Sequence, residues 1–153
     1  MERSVRGGVS QLSWTRVPDG SGFAHSAMLA AVAGGPGFVA VGSAGSPGSQ
    51  AAVWTSPDGS SWTRAADSPE LTGAEMNAIV RLDSGFVAVG WGSAGAAAWT
   101  SADGATWKRA PNATSLGGSE MTSLVRGAKL LVAVGPPTPN GDAGAIWTSP
   151  SGK

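Results

Sequence analysis

The sequence predicts an all-β chain of three four-stranded units, the make-up of a β-propeller, and three observations predict it. One motif recurs three times at intervals of 48 and 45 residues. Each copy carries three largely apolar runs followed by one alternating run. Nowhere do apolar residues recur with a helical period.

The first predicted strand of each unit is Ala27–Ala33, Glu75–Arg81 and Glu120–Arg126, marked by Met28, Met76 and Met121. The second is the Val-Ala-Val run: Gly37-Phe38-Val39-Ala40-Val41-Gly42, Gly85-Phe86-Val87-Ala88-Val89-Gly90 and Leu130-Leu131-Val132-Ala133-Val134-Gly135. Apolar residues on both faces mean burial on both faces. The third ends in Val53-Trp54-Thr55-Ser56, Ala98-Trp99-Thr100-Ser101 and Ile146-Trp147-Thr148-Ser149. The fourth alternates, as a half-exposed outer strand does: Ser61–Ala65, with copies at Trp107-Lys108-Arg109 and, upstream of the first unit, Leu12–Val17. The spacing is stricter than the wording. From the fourth-strand Trp to Met is 14 residues in all three copies, and from Met to the first Val is 11. From that Val to the next Trp is 15, 12 and 15, so length varies in one loop only.

Between the third and fourth strands stand Ser56-Pro57-Asp58-Gly59-Ser60-Ser61-Trp62 and Ser101-Ala102-Asp103-Gly104-Ala105-Thr106-Trp107. Asp-Gly is a hairpin signal, because Gly accepts positive φ and Asp binds nearby backbone amides. These turns resemble the Asp-box (BNR) repeats of sialidase-like propellers, whose pattern is Ser-x-Asp-x-Gly-x-Thr-Trp; the version here is one residue shorter. The resemblance covers Ser13 to Gly152. It implies a structural role for Ser56, Asp58, Gly59 and Trp62 and for Ser101, Asp103, Gly104 and Trp107, away from any active centre.

That family also raises glycoside hydrolysis, and the residues argue against it. Sialidases use a tyrosine nucleophile, and this chain has no Tyr. Their substrate-clamping arginines are non-equivalent, whereas Arg16, Arg64 and Arg109 share one repeated position beside a Trp. Stacking or salt bridging around the outer strand is their expected role.

Composition narrows the remaining classes. Ten Lys+Arg balance ten Asp+Glu, so no basic excess serves nucleic acid or a membrane surface. No Cys is present and only one His, which leaves thiolate chemistry and Cys- or His-based metal sites without ligands. No cofactor or metal is expected. No apolar run reaches the roughly 18 residues of a membrane span. Met1–Arg6 lacks the apolar stretch of an export leader, and the compartment stays open.

The expected organisation is a flexible arm over residues 1–10 and repeats over about 12–60, 61–105 and 106–153. Strand types begin with an outer strand and end on a third strand, so the last unit lacks its outer strand. Propellers have about 4–8 blades, and six is the multiple of three in that range. The expectation is a head-to-tail homodimer forming a six-bladed ring, each Leu12–Val17 strand completing its partner's last blade. Trp14 and Trp147 would meet at that joint, and burying Trp14 would contribute about 1.5–3 kcal/mol. The alternative is a longer propeller of which this chain is part.

Candidate ligand-binding residues are few. Glu75 and Glu120 share a position at the start of the first strand, where a ring would gather four glutamates and two His25 around one mouth. Trp91 breaks the repeat, standing where Ser43 and Pro136 stand, in the variable loop; an exposed Trp there would suit a sugar ring or a protein partner. The leading expectation is a non-catalytic recognition or scaffold protein. Lectin-like glycan binding is the first alternative and an unrecognised hydrolase the second.

Overall fold

A computed structural model describes residues 12–20, 22–45, 50–111, 116–117, 120–137, 140–141 and 143–150. The expected arm over 1–10, parts of the variable loops and residues 151–153 lie outside the described residues. The fold is all-β, with one 3-10 turn at Pro69–Leu71.

Three antiparallel sheets follow one another along the chain. The first is β1 (Ser26–Gly34), β2 (Gly37–Ala44), β3 (Gln50–Ser56) and β4 (Thr63–Arg64). The second is β5 (Ala74–Leu82), β6 (Gly85–Gly92), β7 (Gly95–Ser101) and β8 (Lys108–Arg109). The third holds three strands, β9 (Ser123–Arg126), β10 (Leu130–Gly135) and β11 (Ala145–Pro150). Each sheet is a meander whose strand order in space is its order in sequence. Short hairpins explain that order, because they leave consecutive strands no choice but to pair.

The sheets stack face to face, the second between the other two. Alternation sends Val39, Val41, Ala51 and Val53 of the first sheet against Met76, Phe86, Ala88 and Trp99 of the second. The opposite face of the second, with Val87 and Val89, meets Met121, Leu131, Ala133 and Trp147 of the third. This is why the second strands are apolar on both faces: odd and even positions serve different joints. A paired Arg126–Asp83 contact, with Nη2 to Oδ2 at 2.9 Å, adds an exposed tie between the second and third sheets.

A close backbone approach at one glycine is common to all three sheets, and in the first two it coincides with a register shift. A register shift falls between Met28 and Ala30 and again between Met76 and Ala78, opposite Gly42 and Gly90. A Cβ on Gly42 would lie 1.8 Å from the Ala27 carbonyl oxygen, on Gly90 1.9 Å from that of Glu75, and on Gly135 2.0 Å from that of Glu120. The glycine that closes every Val-Ala-Val run is therefore demanded by backbone approach.

Two sequence expectations are corrected. The outer strands β4 and β8 are two residues long, shorter than Ser61–Ala65 and Trp107–Arg109, because the Ser/Thr and Trp before them belong to the turn. The third sheet's first strand starts at Ser123, so Glu120 precedes it. Leu12–Val17, expected as a strand on a second copy, is irregular in the single chain, exposed from Leu12 to Arg16 and half-buried at Val17.

Gly90→Ala should lower the unfolding free energy by about 3 kcal/mol, the upper end for forced overpacking, whereas Gly20→Ala, with open space around it, should leave it nearly unchanged. Urea denaturation of the two variants checks this; equal midpoints would contradict the close-approach reading.

Candidate functional site

The two Ser-x-Asp-Gly turns are built identically. Ser56 Oγ accepts the Gly59 amide at 2.8 Å, Asp58 Oδ1 accepts the amides of Ser60 and Ser61 at 2.7 Å each, and the Trp62 indole donates to the Gly59 carbonyl at 3.0 Å. In the second copy Ser101 Oγ accepts Gly104 N–H at 2.8 Å, and Asp103 Oδ1 accepts Ala105 and Thr106 N–H at 2.8 and 2.7 Å. Trp107 donates to the Gly104 carbonyl at 3.1 Å. Gly59 and Gly104 have φ of +80° and +81°, which a side chain would oppose. The box residues are thus spent on the turn itself.

The third-strand tryptophans act as latches. Each donates its indole N–H to a backbone carbonyl of the connection that leads into its own sheet: Trp54 to Gly22 at 2.9 Å, Trp99 to Glu70 at 2.8 Å, Trp147 to Leu116 at 2.7 Å. Gly22 and Glu70 are 48 residues apart, one repeat. Trp147, expected at an intermolecular joint, packs with its ring between the second and third sheets of one chain. The arginines behave as expected. Arg109 lies over the Trp99 ring at 5.3 Å, and Arg64, registered opposite Trp54, pairs with Asp67 at 2.8 Å.

Glu75 and Glu120 come to the same side of the stack, each reaching back to the preceding sheet. Ser43 Oγ donates to Glu75 Oε2 at 2.6 Å, and Trp91 Nε1 donates to Glu75 Oε1 at 3.3 Å. Asn77 Nδ2 donates to Glu120 Oε2 at 3.1 Å and to the Met121 carbonyl at 2.9 Å. Both carboxylates are half-buried and serve as ties between sheets. Ser43 and Asn77 were not singled out in the sequence, since neither position repeats in type.

Trp91 is placed differently from the expectation. It lies in β6, not in a loop, paired with Glu75 on one side and Ala96 on the other. The ladder runs through this position in the first unit as well, where Ser43 pairs with Ala27 and Ala51 in spite of a longer loop. The ring is half-buried and its N–H is taken. His25 is exposed, with φ of 52° at a position where the next unit has Gly73 at +64°. Its imidazole is not brought against Glu75 or Glu120 by any hydrogen bond among the described residues.

Among the described residues no group of three or more His, Asp or Glu converges on a point. No protein-family model, curated protein or solved structure matches this chain.

Asp103 is held down to about 2, first by the Thr106 amide and then by that of Ala105, against a smaller opposing effect of burial. Asp58 is lowered by the Ser61 and then the Ser60 amide. Both folded-state values lie below the unfolded one near 3.8. The contribution of each is therefore complete above about pH 4 and lost as the pH falls, for Asp103 towards 2. Asp103→Ala should cost about 1 kcal/mol at pH 7, the scale of a lost side-chain cap. It should also flatten the pH dependence of stability between pH 4 and 2; an unchanged acid limb would show that the turn amides do not hold the carboxylate.

Proposed function

We propose that the chain is a half-propeller whose three sheets are blades, and that two copies close head to tail into a six-bladed ring serving as a non-catalytic scaffold for recognition. The carrying observation is the state of the two outermost faces. Met28 is 42% exposed and Phe38 38%, where Met76, Met121 and Phe86 are 0%, 3% and 3%. At the other end Ile146 is 72% and Val134 41% exposed, where Val53 and Val41 are 1% and 0%.

These faces are not merely apolar. Met28 and Phe38 repeat the half of the joint contributed by Met76 and Phe86, and Val134 and Ile146 repeat the half contributed by Val41 and Val53. A second copy therefore meets at its ends a surface of the kind each internal joint already buries. The contact is heterologous, so it must close a ring or grow. With three blades per chain, closure at six falls within the usual size range. Burial of each large side chain at about 1.5–3 kcal/mol supplies the association energy.

Scaffolding is favoured over catalysis by how the polar candidates are used. Glu75, Glu120, Asp58, Asp103 and the indole of Trp91 are engaged in holding turns and sheets. The repeat architecture supports recognition at a rim made of several similar loops.

Light scattering on a sizing column should give twice the chain mass of 15.1 kDa. Ile146→Asp and Phe38→Asp, at opposite ends, should each weaken association at least tenfold while leaving a folded chain by circular dichroism. A folded wild-type monomer at micromolar concentration sinks the reading.

A further inference from the structure

The joint between the second and third sheets is not filled like the joint before it. In the first joint Trp107, at the end of the Asp-box turn, is buried with its ring centroid 6.5 Å from that of Phe86, and its turn packs on Val39. The repeat-equivalents of Phe86 and Val39 are Leu131 and Val87. Both line an apolar cavity of about 430 Å³ beside Leu82, Trp147, Thr148 and Pro150. The outer edge of β11 pairs with no strand among the described residues. The cavity thus lies where the third sheet would carry a fourth-strand tryptophan.

We infer that this cavity and edge are a docking site for residues 13–16 of a second copy, Trp14 filling the space and Thr15-Arg16 adding a strand to β11. This deepens the ring reading and rests on it. Three observations select the occupant. Ser13-Trp14-Thr15-Arg16 is identical in sequence to the first sheet's Ser61-Trp62-Thr63-Arg64, and in this chain Trp14 is 89% exposed. The register is set by the other two sheets, where Trp54 faces Arg64 and Thr55 faces Thr63, and Trp99 faces Arg109 and Thr100 faces Lys108. Transferred, Trp147 faces Arg16 and Thr148 faces Thr15, and Arg16 stacks on Trp147 as Arg109 stacks on Trp99.

The connection length selects a second copy. Ten positions separate Arg64 at the end of β4 from Ala74 at the start of β5 in the next sheet. Ten also separate Arg16 from Ser26 at the start of β1. When a partner's first sheet covers the third sheet, its own residues 15–16 arrive on β11 by the connection already used inside the chain. Gly22, midway along it, is already latched to Trp54 as Glu70 is to Trp99.

The absence of cysteine from the sequence makes the test clean. Directly opposed residues of antiparallel strands have Cα atoms about 4.5–5.5 Å apart, inside the range a disulfide spans. Full-length Thr15→Cys and Thr148→Cys single variants, mixed and oxidised with glutathione disulfide, should give a reducible dimer at twice 15.1 kDa on a gel. Thr15→Cys paired with Ser60→Cys, in the exposed turn before β4 of the first sheet, should not. Trp14→Ala should weaken self-association at least tenfold yet leave the urea midpoint of dilute protein unchanged, since Trp14 is exposed in the single chain. A dimer by light scattering that yields no mixed disulfide overturns the docking site and leaves the ring reading standing. A monomer throughout overturns both. A double variant that cross-links only within one chain shows the site filled by its own segment and also overturns the inference.

Discussion

Everything in this molecule depends on sheets pressed closely together through small and branched side chains. Met76 and Phe86 reach the first sheet between Val39, Val41, Ala51 and Val53 because those positions carry nothing larger. The alternation of a strand then lets one run of residues serve two joints at once, Phe86 and Ala88 on one side, Val87 and Val89 on the other. A sheet used this way has no face to spare for water. The cost falls on the two outermost sheets, where Met28 and Phe38 at one end and Val134 and Ile146 at the other stay exposed.

Polar groups are arranged around that apolar stack to fix angles and ends. The Asp58 and Asp103 carboxylates tie two amides each, the serine hydroxyls tie a third, and Trp107 caps the margin of the first joint. On another side the glutamates bridge neighbouring sheets through Ser43 and Asn77. Such half-buried bonds contribute about 1 kcal/mol each, far less than the apolar joints, yet being directional they fix how one sheet is oriented on the next.

Much of the fold was legible because intervals persisted where letters drifted. Fixed spacing from Trp to Met to Val places three inner strands in every unit, and Asp-Gly marks the turns. The outer strands were overestimated because Ser61 and Trp62 have strand-like alternation, while their amide and indole are claimed by the turn. Trp91 falls in a strand because the ladder outruns the Val-Ala-Val-Gly run by two residues, through Ser43 and Ala44 in the first sheet and Trp91 and Gly92 in the second. The glutamates' partners were illegible altogether, since Ser43 and Asn77 touch them from the neighbouring sheet, 32 and 43 residues away. Leu12–Val17 shows that strand-like sequence alone does not make a strand; its edge must be present to pair with.

The tryptophan latch carries a consequence for how such a chain is inherited. Donor and acceptor both lie within one repeat, Trp54 with Gly22, Trp99 with Glu70, Trp147 with Leu116. A duplicated gene segment would bring its latch with it, needing no compensating change elsewhere. Only the greasy margin between cassettes must match, and since every cassette carries both sides of it, tandem copying preserves the fit. The number of stacked sheets can then change by whole cassettes without any latch being rebuilt.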